Sequence, residues 1–162
     1  MQSPLNFKEM GSGQPLIILH GLFGSARNWR RIGDTLKSHW RVVLPDLPNH
    51  GNSPWSDDMS YPAQAEALKN FIVLRDLANP VIVGHSMGGK VAMALALSGQ
   101  CLINRLVIVD IAPVSYQHSH FELIQAMRTL PLAQISTRHD ADQLLAPAIP
   151  TSGLRQFLLQ NL

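Results

Sequence analysis

Ser86 is the residue whose type and surroundings most directly predict chemistry. It lies at the centre of a Gly-His-Ser-Met-Gly segment, which follows the short β-branched run 81–83 and precedes a helix-forming run rich in alanine and leucine. A serine on so sharp a strand-to-helix turn projects its hydroxyl above the sheet, and Gly84 and Gly88 leave out side chains that would clash. The pattern predicts a covalent nucleophile at Ser86. The alternative is an N-capping serine at a glycine-rich turn.

The backbone near Ser86 predicts a site for a developing negative charge. The N–H of Met87 would lie at a helix N-terminus, where unpaired donors and the helix dipole favour anions. A second glycine-bounded turn begins at His20, directly after the apolar run 15–19. The N–H of Leu22, or less readily that of Phe23, would act with that of Met87 on an oxyanion. We interpret His20 as a residue that holds this turn, not as a base.

Four motifs occur in order along the chain and together resemble one family. They are His-Gly-Leu-Phe-Gly-Ser at 20–25, Asn-His-Gly-x-Ser-Pro at 49–54, Gly-His-Ser-Met-Gly-Gly-Lys at 84–90 and Val-Asp-Ile-Ala-Pro-Val at 109–114. With this set the chain resembles the α/β-hydrolase superfamily, and within it the small bacterial carboxylesterases and acyl thioesterases. The resemblance runs from about residue 5 to the last residue. It implies that five residues support the site around Ser86, namely His20, Gly21, Gly84, His85 and Gly88.

Predicted strands and helices alternate along the first two thirds of the chain. Apolar runs bounded by turn residues predict strands near 5–10, 16–19, 41–44, 81–83 and 105–110. Spaced apolar residues predict helices near 28–37, with Trp29, Ile32 and Leu36 inward, and 61–77, with Leu68, Ile72 and Leu77 inward. This order favours an α/β fold with a mostly parallel sheet and helices on both faces. His20, Ser86 and Asp110 would all follow the carboxyl ends of strands, where such sheets bind ligands.

The character of the chain changes after Asp110. Ala112-Pro113 stops the strand pattern, residues 117–130 predict a helix, and prolines then interrupt the chain before an amphipathic stretch at 151–162. We therefore expect a hydrolase core over 1–116 and, by the resemblance, a partial helical cap over 117–162. The alternative for this second part is a set of ordinary surface helices. The resemblance also implies more strands than the chain's own count of about six. We interpret the sequence as the N-terminal part of a longer protein.

The acid that would orient a catalytic histidine is predicted at Asp110. In the resembled family the triad order is serine, acid, histidine, and Asp110 lies 24 residues after Ser86 at the end of the next predicted strand. An aspartate that merely caps the following turn is the alternative. Asp46 lies in a loop motif that differs from the family pattern by a proline at position 48. We expect its carboxylate to hold that loop.

The general base is the missing part of this prediction. A serine hydroxyl needs a base to become a good nucleophile. His85 would point away from Ser86, and only His118, His120 and His139 follow Asp110. None of these three occupies the Gly-x-Gly-His type of setting that the resemblance implies. We therefore expect the catalytic histidine beyond Leu162, and little or no turnover by the 162-residue chain alone.

Composition narrows the class of protein. The chain is 46% hydrophobic and 15% charged with a formal net charge of +2, which is typical of a globular domain. No basic cluster interleaved with aromatics indicates nucleic acid, and no run approaches the ~18 apolar residues of a membrane helix. We expect neither partner. The single cysteine, Cys101, cannot form an internal disulfide, so we expect a cytoplasmic location.

The resemblance implies a serine hydrolase that cleaves small carboxylic esters or thioesters through an acyl-enzyme on Ser86. The expected chemistry uses no metal and no organic cofactor. Other reactions on the same scaffold, carbon–carbon bond hydrolysis and perhydrolysis, stay open as alternatives. So does a non-catalytic or truncated ligand-binding remnant. The sequence leaves acyl-chain length and oligomeric state open.

Overall fold

The computed structural model describes residues 5–117 and 119–162, and these form five strands and six α-helices. The strands are β1 (Phe7–Met10), β2 (Pro15–Leu19), β3 (Arg41–Pro45), β4 (Val81–His85) and β5 (Arg105–Val109). The helices are α1 (Ala26–Leu36), α2 (Tyr61–Leu74), α3 (Met87–Ser98), α4 (Phe121–Arg128), α5 (Arg138–Leu145) and α6 (Ser152–Leu158). The chain divides into two compact units, with the boundary between Pro113 and Val114. In the part that the structure describes, no helix is both long and apolar enough to span a membrane.

All five strands belong to one sheet, in the order β1-β3-β2-β4-β5. Only β1 runs antiparallel to its neighbour; the other three pairs are parallel, with Leu19 opposite Gly84 and His85 opposite Val109. The carboxyl ends of β2 to β5 therefore meet at one edge. The expected sixth strand is not found among the described residues. The segments after β5 contain no β-branched run that favours a strand, and they form helices.

Helices cover both faces of this sheet, as the alternation predicted. On one face, Ile17, Val43 and Ile82 pack with the buried residues of α2 and α3. On the other face, Leu16, Val42 and Leu44 pack against α1, mainly through Ala26, Trp29 and Leu36. The inward positions expected in the second predicted helix are confirmed: Leu68, Ile72 and Leu77 are all buried. Leu77, however, lies three residues beyond the end of α2.

The inward prediction for Ile32 is wrong, since its side chain is 46% exposed. Gly33 is buried in its place. A Cβ added to Gly33 would lie 3.0 Å from the Met10 sulfur and 3.4 Å from a Leu44 methyl, so α1 packs too closely there for a side chain. Because of this close approach, α1 faces the sheet with Trp29, Gly33 and Leu36, and Ile32 faces away from it.

In the second unit, residues 114–162, the described regular elements are all helices, joined by turns and irregular segments. The prediction of a helix over 117–130 is wrong at its ends, because α4 begins at Phe121. There the Ser119 hydroxyl accepts the Phe121 N–H and competes with helical hydrogen bonding. Arg155 ties α6 to α5 by a bidentate pair with Asp142 at 2.8 and 3.1 Å. The cap role of this unit stays a prediction, and His118 lies outside the described residues.

We expect Gly88→Ala to reduce the free energy of unfolding by about 3 kcal/mol, because the added methyl would overlap the backbone at the end of β2, against which the start of α3 packs. That Cβ would lie 2.5 Å from the His20 carbonyl oxygen and 2.7 Å from the Leu19 Cβ. Gly153→Ala in α6 is the matched control, since an added Cβ there meets nothing within 4 Å. Urea unfolding of both variants measures the difference. Equal stabilities would contradict this packing account.

Candidate functional site

Ser86 occupies a strained backbone conformation between β4 and α3, with φ 51° and ψ −117°. Non-glycine residues rarely adopt positive φ, and where they do the surrounding structure must hold them. Here the Ser86 N–H donates to the Val109 carbonyl at 3.0 Å. Its own carbonyl accepts the N–H groups of Gly89 and Lys90 at 2.9 and 3.2 Å. The strain is thus held from both sides, by β5 and by the first turn of α3.

The Ser86 side chain does not cap the helix that it precedes. Ser86 occupies the N-cap position of α3, but its hydroxyl makes no capping hydrogen bond there. N-cap residues usually adopt extended backbone angles, which Ser86 does not. This geometry speaks against the alternative of an ordinary capping serine and leaves the hydroxyl outside the helix hydrogen bonding.

Two glycines, Gly84 and Gly21, allow neighbouring segments of the chain to approach Ser86 closely. A Cβ on Gly84 would lie 2.5 Å from the Gly88 carbonyl oxygen, so β4 and α3 meet there without space for a methyl group. A Cβ on Gly21 would lie 3.3 Å from the Ser86 Cβ and 3.1 Å from Nδ1 of His85. The turn after β2 therefore packs directly against the serine.

Two backbone N–H groups near Ser86 are those that the sequence predicted as donors to an oxyanion. The Gly24 N–H donates to the Gly21 carbonyl at 3.0 Å and closes a tight turn, in which Phe23 has φ 63°. That closing bond does not use the N–H of Leu22, the second residue of the turn. Met87 is the first residue of α3, and its N–H precedes the helix bonds that begin at Gly89. The role of these two N–H groups towards an oxyanion stays a prediction.

His20 holds the turn with both ring nitrogens. Its Nε2 accepts the Leu47 N–H at 3.0 Å, so Nδ1 carries the proton and donates to the Gly21 carbonyl at 2.9 Å. Burial lowers the pKa of His20 to about 4, which keeps the ring neutral near pH 7. A buried ring with both nitrogens engaged cannot serve as a general base without breaking the turn.

Asp46 holds the loop that follows β3. Its buried carboxylate accepts the Ala26 N–H at 2.7 Å, the Asn6 side-chain amide at 2.7 Å and the Asn52 N–H at 3.0 Å. Its backbone carbonyl accepts the Ser53 hydroxyl at 2.6 Å. The carboxylate therefore connects the start of α1, the segment before β1 and this loop, in agreement with a structural role.

Asp110 follows β5 at the same edge of the sheet as Ser86. It has φ 56°, and its carboxylate is 86% exposed. The hydrogen bond from the Ser86 N–H to Val109 ties the residue before Asp110 to the serine. His85 Nε2 lies 3.9 Å from an Asp110 carboxylate oxygen, while its ring packs edge-on against Trp29 at 6.0 Å. Sequence reasoning missed this proximity, because it depends on the pairing of β4 with β5, which no local pattern in the sequence contains.

No histidine described within residues 5–113 is placed as the base for Ser86. His20 is engaged in the turn, and His50 uses Nδ1 on the Pro48 carbonyl, with a pKa lowered by burial. His39 is exposed and precedes β3, at the opposite end from the serine. His85 has its ring against Trp29. Within residues 5–113 the structure places Ser86 and Asp110 at the same edge of the sheet, and their catalytic roles stay a prediction.

Metal binding has no evident site in the described part of the chain. Among residues 5–117 and 119–162, no three His, Cys, Asp or Glu side chains form a group that could hold a metal ion.

Comparison with known proteins assigns the fold. The family model described as alpha/beta hydrolase fold matches residues 14–136, well over half of the chain. The chain belongs to the α/β-hydrolase fold family. The expected fold, with its mostly parallel sheet and helices on both faces, is thereby confirmed.

Individual α/β-hydrolase relatives match nearly all of this chain. It is 40% identical over 155 residues to the sn-1-specific diacylglycerol lipase ABHD11 of Mus musculus, covering 91% of this chain and 50% of that protein. It is 34% identical over 151 residues to Esterase YbfF of Escherichia coli (strain K12), covering 93% of this chain and 59% of that protein. A solved marine microorganism esterase matches with TM-score 0.93 and 42% identity, over 98% of this chain and 63% of its own. The chain thus spans about half the length of the curated relatives it matches.

We expect the stability of the protein to fall by about 3 kcal/mol between about pH 6.5 and pH 4 because of His20. In this window the unfolded histidine binds a proton while the folded one, with its pKa lowered to about 4, does not. Unfolding therefore takes up a proton and is favoured as the pH falls. Urea unfolding across this range should give a flatter pH dependence for His20→Gln than for the wild type. His39→Gln, at an exposed histidine, is the control that should keep the wild-type slope. Parallel curves for wild type and His20→Gln would contradict this origin.

Proposed function

We propose that this protein is a serine hydrolase of carboxylic esters or thioesters, with Ser86 as its nucleophile. The observation that carries the proposal is the backbone of Ser86, strained at φ 51° with its hydroxyl outside the helix cap. Such strain is characteristic of functional sites, and the segments around it pack closely at Gly21, Gly84 and Gly88. Relatives that are named as a diacylglycerol lipase and as esterases support ester cleavage.

The proposed reaction proceeds through an acyl-enzyme. The Ser86 oxygen attacks the acyl carbon while a histidine takes the hydroxyl proton, and the carbonyl oxygen becomes an oxyanion. The N–H groups of Leu22 and Met87 would hold that oxyanion, at about 3–4 kcal/mol for each donor. Collapse expels the alcohol or thiol, which receives the proton from the histidine. Water then repeats the steps on the acyl-serine and releases the acid.

Asp110 would orient the histidine and stabilise its protonated form. It follows β5 directly, and the hydrogen bond from the Ser86 N–H to Val109 fixes the backbone spacing of nucleophile and acid. Its exposed carboxylate leaves room for an imidazole. We propose that this histidine lies beyond Leu162, since no histidine described in 5–113 is placed for the role and the chain spans about half of its curated relatives.

The proposal also covers the partner of the enzyme, its location and the role of its second unit. The mechanism uses only side chains, backbone donors and water, so a small acyl ester or thioester is the only partner that it requires. A cytoplasmic location stays a prediction that rests on the single cysteine. We also propose that the helices of 114–162 are part of a cap.

The test begins with the gene beyond codon 162, where we expect a further coding segment with a histidine after a final strand. The protein expressed from that longer reading frame should hydrolyse p-nitrophenyl butyrate. Ser86→Ala should reduce kcat by about 10⁴-fold or more, and Asp110→Asn by about 10³- to 10⁴-fold, because both act only through the triad. Asp34→Asn, an exposed carboxylate on α1 paired with Lys37, is the control that should retain full activity.

Two outcomes would count against this proposal. A stop codon directly after Leu162 would contradict a complete triad and favour a ligand-binding remnant. Activity that survives Ser86→Ala would contradict the nucleophile. The 162-residue chain alone should hydrolyse the ester no faster than its Ser86→Ala variant. Robust hydrolysis that Ser86→Ala abolishes in this short chain would instead place the base within residues 114–162.

A further inference from the structure

Trp55 extends into solvent from the loop that follows β3. Its side chain is 87% exposed, although tryptophan is among the residues that proteins bury most on average. Met59 and Tyr61, in the same stretch of chain, are 36% and 43% exposed. We name residues 54–61 the Trp55 loop. A large aromatic group left this open is a candidate contact surface.

The backbone on both sides of Trp55 is held firmly. The Asn49 side-chain amide donates to the Ser56 carbonyl at 2.7 Å, and the Ser56 N–H donates back to the Asn49 side-chain oxygen at 2.6 Å. The Asn49 N–H donates to the Pro54 carbonyl at 3.1 Å. One asparagine thus ties the residues before and after Trp55. The backbone that carries the exposed indole is therefore held in place by these hydrogen bonds.

The rest of the Trp55 loop is also ordered by local hydrogen bonds, and it carries two negative charges. The Asp58 carboxylate accepts the Ser60 N–H at 2.8 Å, which lowers the pKa of that carboxyl, and the Asp58 N–H donates to the Ser56 hydroxyl at 3.3 Å. Asp57 is exposed beside it. An aromatic tip next to two carboxylates disfavours an anionic surface and suits one that presents cations.

We propose that the Trp55 loop docks this protein peripherally on a zwitterionic lipid surface, with the indole of Trp55 at headgroup depth. Tryptophan is favoured at membrane interfaces because its ring is apolar and its N–H is polar. The outermost group of a phosphatidylcholine surface is a trimethylammonium, which is attracted to an indole face and to the carboxylates of Asp57 and Asp58. An anionic surface would be repelled by the same carboxylates.

This docking site lies at the edge of the sheet that carries Ser86. The loop after β3 contacts the turn after β2, where the Leu47 N–H donates to His20 Nε2. Docking through Trp55 would therefore bring the carboxyl ends of the parallel strands towards lipid. The inference goes beyond the proposed ester chemistry and does not depend on it. It revises the expectation of no membrane partner, which rested on the absence of a spanning segment; a peripheral contact needs none.

The test is binding of the protein, expressed from its whole reading frame, to phosphatidylcholine vesicles, measured by co-sedimentation and by tryptophan fluorescence. Brominated acyl chains in the same vesicles report which indoles enter the bilayer. We expect a blue shift and quenching for the wild type. Trp55→Ser should weaken binding about tenfold or more, since it removes the burial of one large aromatic side chain. Trp29 and Trp40 remain in this variant and should show no lipid quenching.

Leu97→Ser is the matched control, because Leu97 in α3 is also 87% exposed but lies on a helix away from the Trp55 loop. It should bind as the wild type does. Vesicles of phosphatidylglycerol should bind the wild type more weakly, and the double variant Asp57→Asn/Asp58→Asn should reduce that difference. No binding to phosphatidylcholine, equal binding by Trp55→Ser, or stronger binding to phosphatidylglycerol would overturn the proposal. Because no turnover is measured, failure here leaves the ester hydrolase proposal standing.

Discussion

The close contact between the start of α3 and the ends of β2 and β4 is the constraint on which the rest of this structure depends. At Gly84 and Gly88, an added methyl group would lie 2.5 Å from backbone oxygen atoms of the neighbouring element. Only glycine permits this approach. Because β4 and α3 lie so close together, Ser86, which connects them, cannot adopt a relaxed backbone conformation. The positive φ of the serine follows from this packing, as does the position of the Met87 N–H at the open end of a helix.

Buried hydrogen bonds of His20 and Asp46 connect this packed region to the neighbouring loops. His20 joins the turn after β2 to the loop after β3 through its two ring nitrogens, and Asp46 joins that loop to α1. Both groups are buried, so each lost hydrogen bond would leave an unpaired polar atom away from water. The edge of the sheet is therefore one connected network. Ser86 and Asp110, which we propose as nucleophile and acid, directly follow β4 and β5, while Trp55 faces solvent from the loop after β3.

Sequence reasoning succeeded where a short-range pattern determines the structure. The parallel strands were predictable because β2 and β4 are apolar runs bounded by turn residues, and their shared direction places His20, Ser86 and Asp110 at one edge. It failed where tertiary packing determines which residues are buried and which side chains lie close together. Ile32 has the spacing of an inward residue, but the close approach at Gly33 rotates α1 away from it. The proximity of His85 to Asp110 depends on strand order, which no local pattern contains. The base was not predictable from these residues at all.

The nucleophile is the central claim, and covalent labelling with a fluorophosphonate tests it most directly. Trypsin should cut after Arg75 and Lys90, and the peptide 76–90 then contains a single hydroxyl side chain, that of Ser86. The experiment is to label the protein expressed from the gene read past codon 162, and then to map the adduct by mass spectrometry. We expect one adduct on this peptide, absent when the serine is replaced by alanine. Stoichiometric labelling on any other peptide, with 76–90 unmodified, would contradict it.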